Sequence, residues 1–184
     1  MTLHIIGIGL NNEKDITVKG LELVKKADKV YVESYTSKLT CSPDDLALFY
    51  NKDIILADRI MVEGDNNEII ENAKKKQVAF LVIGDPFSAT THVDLMLRAK
   101  KEKIPITITN NASILTAVGV TGLQLYKFGK TTSLPYPEKN FQPETAYDVV
   151  KENKRAGAHT LILLDIKPEQ NAFMSVNEAI HILW

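Results

Sequence analysis

One cysteine, Cys41, occurs in 184 residues. It has no partner for an internal disulfide and no neighbours at metal-ligand spacing, which suits a chain kept in a reducing compartment. No apolar run approaches the roughly 20 residues that cross a membrane, and the opening "MTLHIIGIGL" is too short and too glycine-broken for a signal peptide. A soluble, cytoplasmic protein with no membrane partner is expected. An excess of one charge is also missing: 22 Lys and Arg oppose 23 Asp and Glu, for a net charge of -1. No global field draws nucleic acid. The basic spots "KKAD", "AKKKQ" and "RAKKEK" read as solvated helix ends, so no direct nucleic-acid binding is expected. Histidines 4, 92, 159 and 181 lack the i, i+4 or paired-cysteine spacing of a zinc site, and no metal is expected. There is no G-x-S-x-G elbow and no G-x-x-x-x-G-K-[ST] loop, which removes the main support for hydrolase and NTPase readings.

What is present is an ordinary globular composition, 45% hydrophobic and 24% charged. The length suffices for one large core, or for one small domain and part of another. Short β-branched runs, "LHIIGIG", "KVYVESY", "DIILAD", "VAFLVIG", "IPITIT", "TTSLPY" and "HTLILLDI", alternate with helix-length amphipathic stretches. Helices are predicted over 16–27, from a cap at Ser42-Pro43, and over 67–76, 91–101, 113–128, 145–156 and 175–183. Alternation of this kind predicts an α/β fold with mostly parallel strands and right-handed crossovers. The expected domain division is 1–110 and 111–184, near "TNNASIL"; "YPEKNFQPE", 136–144, is the most loop-like segment, and the chain stops at Trp184 within an amphipathic pattern.

Three stretches carry chemistry. "GIGLNNEKD" follows the first strand like a dinucleotide fingerprint, but Asn12 stands where the third glycine belongs. Gly7 and Gly9 still permit a close backbone approach. Glu33, ending the second strand, reads either as a ribose-binding acid or as a strand-end carboxylate in solvent. "GDPFSATTH" lies where the most buried strand runs out, the ligand-binding edge of an open α/β sheet. Asp85 before Pro86 is kept out of helical geometry and should present its carboxylate outward. One of the hydroxyls of Ser88, Thr90 and Thr91 should cap the next helix. The whole stretch is either a ligand loop or only a capped turn. "NNASILTAVGVTGLQLYKFG" opens a helix whose Gly119 and Gly122 fit either a ligand or tight helix packing.

Together with "DITVKGLELVKKADKVYVESYTS", "HTLILLDIK" and "MSVNEA", these phrases resemble the diphthine synthases, diphthamide-pathway methyltransferases of the tetrapyrrole-methylase fold class. The likeness covers nearly the whole chain. It implies two α/β domains with the cofactor, S-adenosyl-L-methionine, in the cleft between them and S-adenosyl-L-homocysteine as product. It implies a protein substrate, elongation factor 2 bearing an aminocarboxypropyl-modified histidine, methylated on the amine and, in eukaryotic members, also on the carboxylate. It also implies a homodimer. Matched position by position, the cofactor contacts are Leu10, Asp85, Ser88, Ser113, Ile114 and Leu164; no catalytic base is assigned. Ser88 stands where many relatives have glycine or valine. Relatives continue past the "MSVNEA" helix, so the resemblance implies an incomplete second domain. Eukaryotic relatives also carry an insertion where "PEQNAF" bridges "DIK" to "MSVN". Two other readings remain at this point: a tetrapyrrole methylase of the same fold, and a nucleotide-binding module without catalysis.

Overall fold

The computed structural model describes residues 1–65, 67–139, 142–170 and 172–183, without the side chain of Glu169. It divides into two compact units, Met1–Ile114 and the chain from Leu115 onward.

The first unit runs β1 (Thr2–Gly7), α1 (Val18–Lys26), β2 (Lys29–Glu33), α2 (Pro43–Tyr50), β3 (Ile54–Ala57), α3 (Arg59–Glu63), α4 (Glu68–Ala73), β4 (Gln77–Val82), α5 (Val93–Lys101) and β5 (Ile106–Thr109). All five strands are parallel, in the order β3-β2-β4-β1-β5. Successive side chains of a strand point to opposite faces, so both faces must be apolar to be covered. Leu3, Ile5, Val78, Phe80 and Val82 pack with Ile69, Leu95 and Ala99 of α4 and α5. Ile6, Ala79 and Leu81 pack with Val24, Leu46 and Tyr50 of α1 and α2. The expected alternating α/β layering is therefore present here.

Local signals set several boundaries as the residues foretell. Thr17 caps α1 by accepting from Gly20 N at 3.0 Å. Ser42 opens α2 with a reciprocal capping box to Asp45 and proline at the first position. Lys25 and Lys26 end α1, and Arg98, Lys100 and Lys101 end α5, where cations oppose the negative pole of the helix.

From Leu115 onward the elements are short. The second unit holds most of α6 (Ile114–Ala117), β6 (Thr132–Leu134), α7 (Glu144–Arg155), β7 (Ile162–Leu164), β8 (Ile166–Lys167), β9 (Ala172–Phe173) and α8 (Val176–Leu183). β6 pairs with β7 in parallel and β8 with β9 antiparallel. Leu134, Ala146, Met174 and Ala179 form its core.

Four expectations need correction. The helix over 113–128 is instead a four-residue α6 followed by 3-10 turns at Val118–Thr121 and Leu125–Lys127. Gly122 ends the first of these at φ +82°, a left-handed conformation that stops a helix and that glycine adopts without a Cβ clash. No hydroxyl caps α5: its N-cap is His92, without a side-chain bond, because Thr90 Oγ1 donates to the Pro86 carbonyl and Thr91 Oγ1 to Glu63. "HTLILLDI" is split into β7 and β8, and Asp165 between them accepts from Tyr136 N at 2.9 Å. Glu33 is 1% exposed rather than solvated, since its carboxylate is needed to tie together the turn that follows β2. It accepts from the amides of Tyr35 and Thr36, from Thr36 Oγ1 and, at 3.4 Å, from Ile83 N. Parts of the expected 136–144 loop and of "PEQNAF", and the chain's end at Trp184, fall on residues 140, 141, 171 and 184, outside the described residues.

Candidate cofactor site at the strand ends

The chain leaves β1 toward β2 on one side and leaves β4 toward β5 on the other, across α1 and α5 on opposite faces. Between the carboxyl ends of β4 and β1 the crossovers therefore diverge. This is the switch point where open α/β sheets leave a crevice.

Gly9 and Gly84 bind the two strand ends by a pair of backbone bonds, Gly84 N to Gly9 O at 2.7 Å and Gly9 N to Gly84 O at 3.4 Å. Neither position tolerates a side chain easily, because both have positive φ, +83° and +79°. At Gly7 a Cβ would sit 2.6 Å from the Gly84 carbonyl oxygen and 2.9 Å from Asn111 Cβ. What the glycines let approach is thus the protein's own backbone. Asn12, which occupies the place of the missing third glycine, accepts from Lys14 N and opens a single 3-10 turn.

Asp85 joins its own loop to the segment that follows β5. Its Oδ1 accepts from Phe87 N at 3.0 Å and Ser88 Oγ at 2.9 Å; its Oδ2 accepts from Asn110 Nδ2 at 3.0 Å and Asn111 N at 3.2 Å. The carboxylate is 7% exposed and does not project outward as expected, because four donors hold it within the loop. Burial pushes its pKa up, but hydrogen bonds from Asn110, Phe87, Ser88 and Asn111 outweigh that and hold the carboxyl below its usual range.

Two residues that were not among the expected contacts complete the junction. Asn111 Nδ2 donates to the carbonyls of Gly7 and Asp15, both at 3.0 Å. Asp15 Oδ2 accepts from Leu10 N at 3.2 Å and Asn11 N at 2.8 Å. The signal for Asp15 was an acid a few residues after a glycine turn, the pattern of a side chain closing its own loop. The signal for Asn111 was an Asn pair directly after a strand.

Of the six expected contacts, Leu10, Asp85 and Ser88 lie at this junction, and Ser113 follows it in sequence. Leu10 is half-buried beside Gly84, Ser88 is bonded to Asp85, and Ser113 is 6% exposed and two residues past Asn111. Ile114 follows, 42% exposed. Leu164 lies in the second unit on β7, half-buried against that unit's own core.

Next to Gly84 there is room for a further carbon-sized group between an apolar side chain and a carbonyl. A Cβ added at Gly84 would find ordinary contact distances, 3.6 Å to Leu10 Cδ2 and 3.7 Å to the Ala112 carbonyl oxygen. The spot between them is a cradle with an apolar wall on one side and an acceptor on the other. Further along the same loop Ala89 takes a left-handed φ of +62°, which costs a residue with a Cβ free energy. Among the described residues no group of three His, Cys, Asp or Glu could hold a metal ion, and no helix is long and apolar enough to cross a membrane.

A parallel α/β unit with its binding loops at such a switch point is the architecture of a nucleoside-cofactor enzyme. The chain belongs to the tetrapyrrole (corrin/porphyrin) methylase family, whose model matches residues 2–183. It is 53% identical over 171 residues to diphthine methyl ester synthase of Saccharomyces cerevisiae, covering 92% of this chain and 57% of the yeast protein. It is 48% identical over 182 residues to diphthine synthase of Methanococcus maripaludis, covering 98% of this chain and 71% of that one. A crystal structure of diphthine synthase superimposes with a TM-score of 0.91 at 40% identity, covering 100% of this chain and 70% of that one. The chain thus spans less than two thirds of the yeast relative's length.

Proposed function

We propose that the protein is a methyltransferase of diphthamide biosynthesis. It binds S-adenosyl-L-methionine at the strand-end loops of β1, β4 and β5 and methylates the modified histidine of elongation factor 2. The observation that supports the reading is the Asp85 junction at the switch point, where Ser88 is bonded to Asp85 and Leu10 and the Ala112 carbonyl flank Gly84. The proposed contacts are Leu10, Asp85, Ser88, Ser113, Ile114 and Leu164, with domains meeting near residue 110. The working form is a cytoplasmic homodimer.

When bound, the cofactor supplies a methyl group already activated by its sulfonium. The task left to the chain is to hold that methyl in line with the attacking atom, and alignment of this kind is a large lever on rate. Asp85 does this indirectly, by fixing the loop from Gly84 to Ser88. With both oxygens already accepting two bonds, it is a poor candidate for removing the proton of the substrate amine. The Ala112 carbonyl provides an acceptor dipole for the N–H or cationic part of the ligand. Leu10 and Ile114 offer apolar surface to its base.

The test is transfer of label from methyl-labelled S-adenosyl-L-methionine to elongation factor 2 taken from cells blocked at this step. Label in the factor is expected. Cofactor binding without any transfer to the factor contradicts the substrate.

A further inference from the structure

His92 ends the "GDPFSATTH" loop that Asp85 begins. Its side chain is fully buried, at 0% exposure, and neither ring nitrogen reaches good hydrogen-bond geometry, the Pro86 carbonyl being the acceptor that faces the ring. The ring stands edge-to-face against Phe80 of β4, with centroids 5.2 Å apart, and against Tyr35 in the turn after β2, with centroids 5.9 Å apart. Packing alone does not account for an imidazole here. A buried polar ring with at most one poorly placed partner costs free energy that a phenyl ring in the same slot avoids. What the imidazole has and the phenyl lacks is a charge change near neutral pH.

The surroundings are set against that charge. Burial holds the His92 pKa below its ordinary value, against the opposing pull of the Glu33 carboxylate at the end of β2, the Pro86 carbonyl and the Glu63 carboxylate at the end of α3. Arg59 of α3 lies over the Tyr35 ring at 5.4 Å and adds a cation to the same neighbourhood. The nine residues of α5 begin immediately after His92, so a cation there would also face the positive pole of that helix. Two further ties, Thr90 to Pro86 and Thr91 to Glu63, hold the loop only through exposed or partly exposed hydroxyls. Asp85 anchors the start of the loop, and the ring of His92 is the buried anchor at its end.

We propose that His92 is a positioning residue for the strand-end loop: as a neutral ring wedged between Phe80 and Tyr35 it holds residues 85–91 in binding geometry, and it releases them on taking a proton. The link to the cofactor rests on the function proposed above; the behaviour of the loop does not.

The experiment follows the protection of the Phe87 amide, which donates to Asp85, against hydrogen exchange between pH 7.5 and 5.0. Affinity for S-adenosyl-L-methionine is measured at the same pH values. In the wild-type chain, Phe87 protection should fall, by up to tenfold per pH unit, as pH drops from the ordinary histidine value of about 6.5 toward the lowered His92 midpoint, and affinity should fall below that midpoint, while amides of β1 and β4 stay protected. In His92→Phe both should be level across the range. An acid fall in His92→Phe equal to that of the wild type overturns the proposal. Should the variant not fold, the His92 ring is titrated by NMR in the wild-type chain. A fall in Phe87 protection that levels off at the ring's midpoint upholds the proposal, and a fall unrelated to that midpoint overturns it. Absence of cofactor binding at every pH counts against the proposed function, while Phe87 protection still decides the role of His92.

Discussion

Asn110 donates its side-chain amide to Asp85 Oδ2 at 3.0 Å, so the end of β5 is fastened to the loop after β4 through one buried carboxylate. Asp85→Ala leaves the donors of Asn110, Asn111, Phe87 and Ser88 without this acceptor. We expect a stability loss of about 1–3 kcal/mol, read by urea denaturation. Affinity for S-adenosyl-L-methionine should fall more than tenfold, which is about 1.4 kcal/mol, read by calorimetric titration. Wild-type affinity in the variant would remove Asp85 from the site.

The same carboxylate sets an acid limit. Its pKa is held below the ordinary value in the folded chain, so the unfolded chain takes up its proton first as pH falls. The stability it contributes is complete above the unfolded pKa of about 3.9. It is lost as pH drops through the lower folded value. Denaturation midpoints measured from pH 5 down to pH 2 should therefore fall more steeply for the wild type than for Asp85→Ala. Parallel curves would show that Asp85 carries no such linkage.

Glycines with the same backbone angle should differ in what they tolerate. Gly9 and Gly122 have φ of +83° and +82°, but a Cβ at Gly9 would lie 2.4 Å from Asp15 Cβ, whereas one at Gly122 meets nothing within 4 Å. Gly122→Ala should cost only the left-handed penalty of about 1–2 kcal/mol. Gly9→Ala should cost clearly more and, by displacing Asp15, should loosen the Leu10 and Asn11 amides. Thermal denaturation of the two variants side by side checks the order; equal losses contradict the clash.

Glu33→Gln keeps the shape of a buried side chain but replaces one acceptor oxygen with a donor. Facing the Tyr35 and Thr36 amides, Thr36 Oγ1 and Ile83 N, the new amide is left opposite donors. A loss of about 1–3 kcal/mol is expected. Unchanged stability would show that these donors find other acceptors.

How far the residues foretell the structure depends on the range of the forces involved. Periodicity and caps are local, so β1 to β5, α1, α2, α4, α5, α7 and α8 were legible, as was a loop at the carboxyl end of β4. The direction of the Asp85 carboxylate was not. It is decided by Asn110 and Asn111, which lie 25 and 26 residues away in sequence and meet it only once β5 is laid beside β1. Glu33 failed the same way, since Ile83 N comes from 50 residues away. The helix expected through 128 was misread for a local reason instead. Gly119 and Gly122 were read as sites of close approach within one helix, whereas Gly122 ends a short turn.

The central claim is that the strand-end loops of β1, β4 and β5 grip the nucleoside cofactor. Titrating S-adenosyl-L-homocysteine into the isotope-labelled chain and following backbone amide shifts by NMR tests it most directly. The account predicts saturable shifts concentrated at Gly9 to Asn11, Gly84 to Ser88 and Asn111 to Ile114. Shifts gathered instead on α2, α3 or α4, or no shift at millimolar ligand, would contradict it.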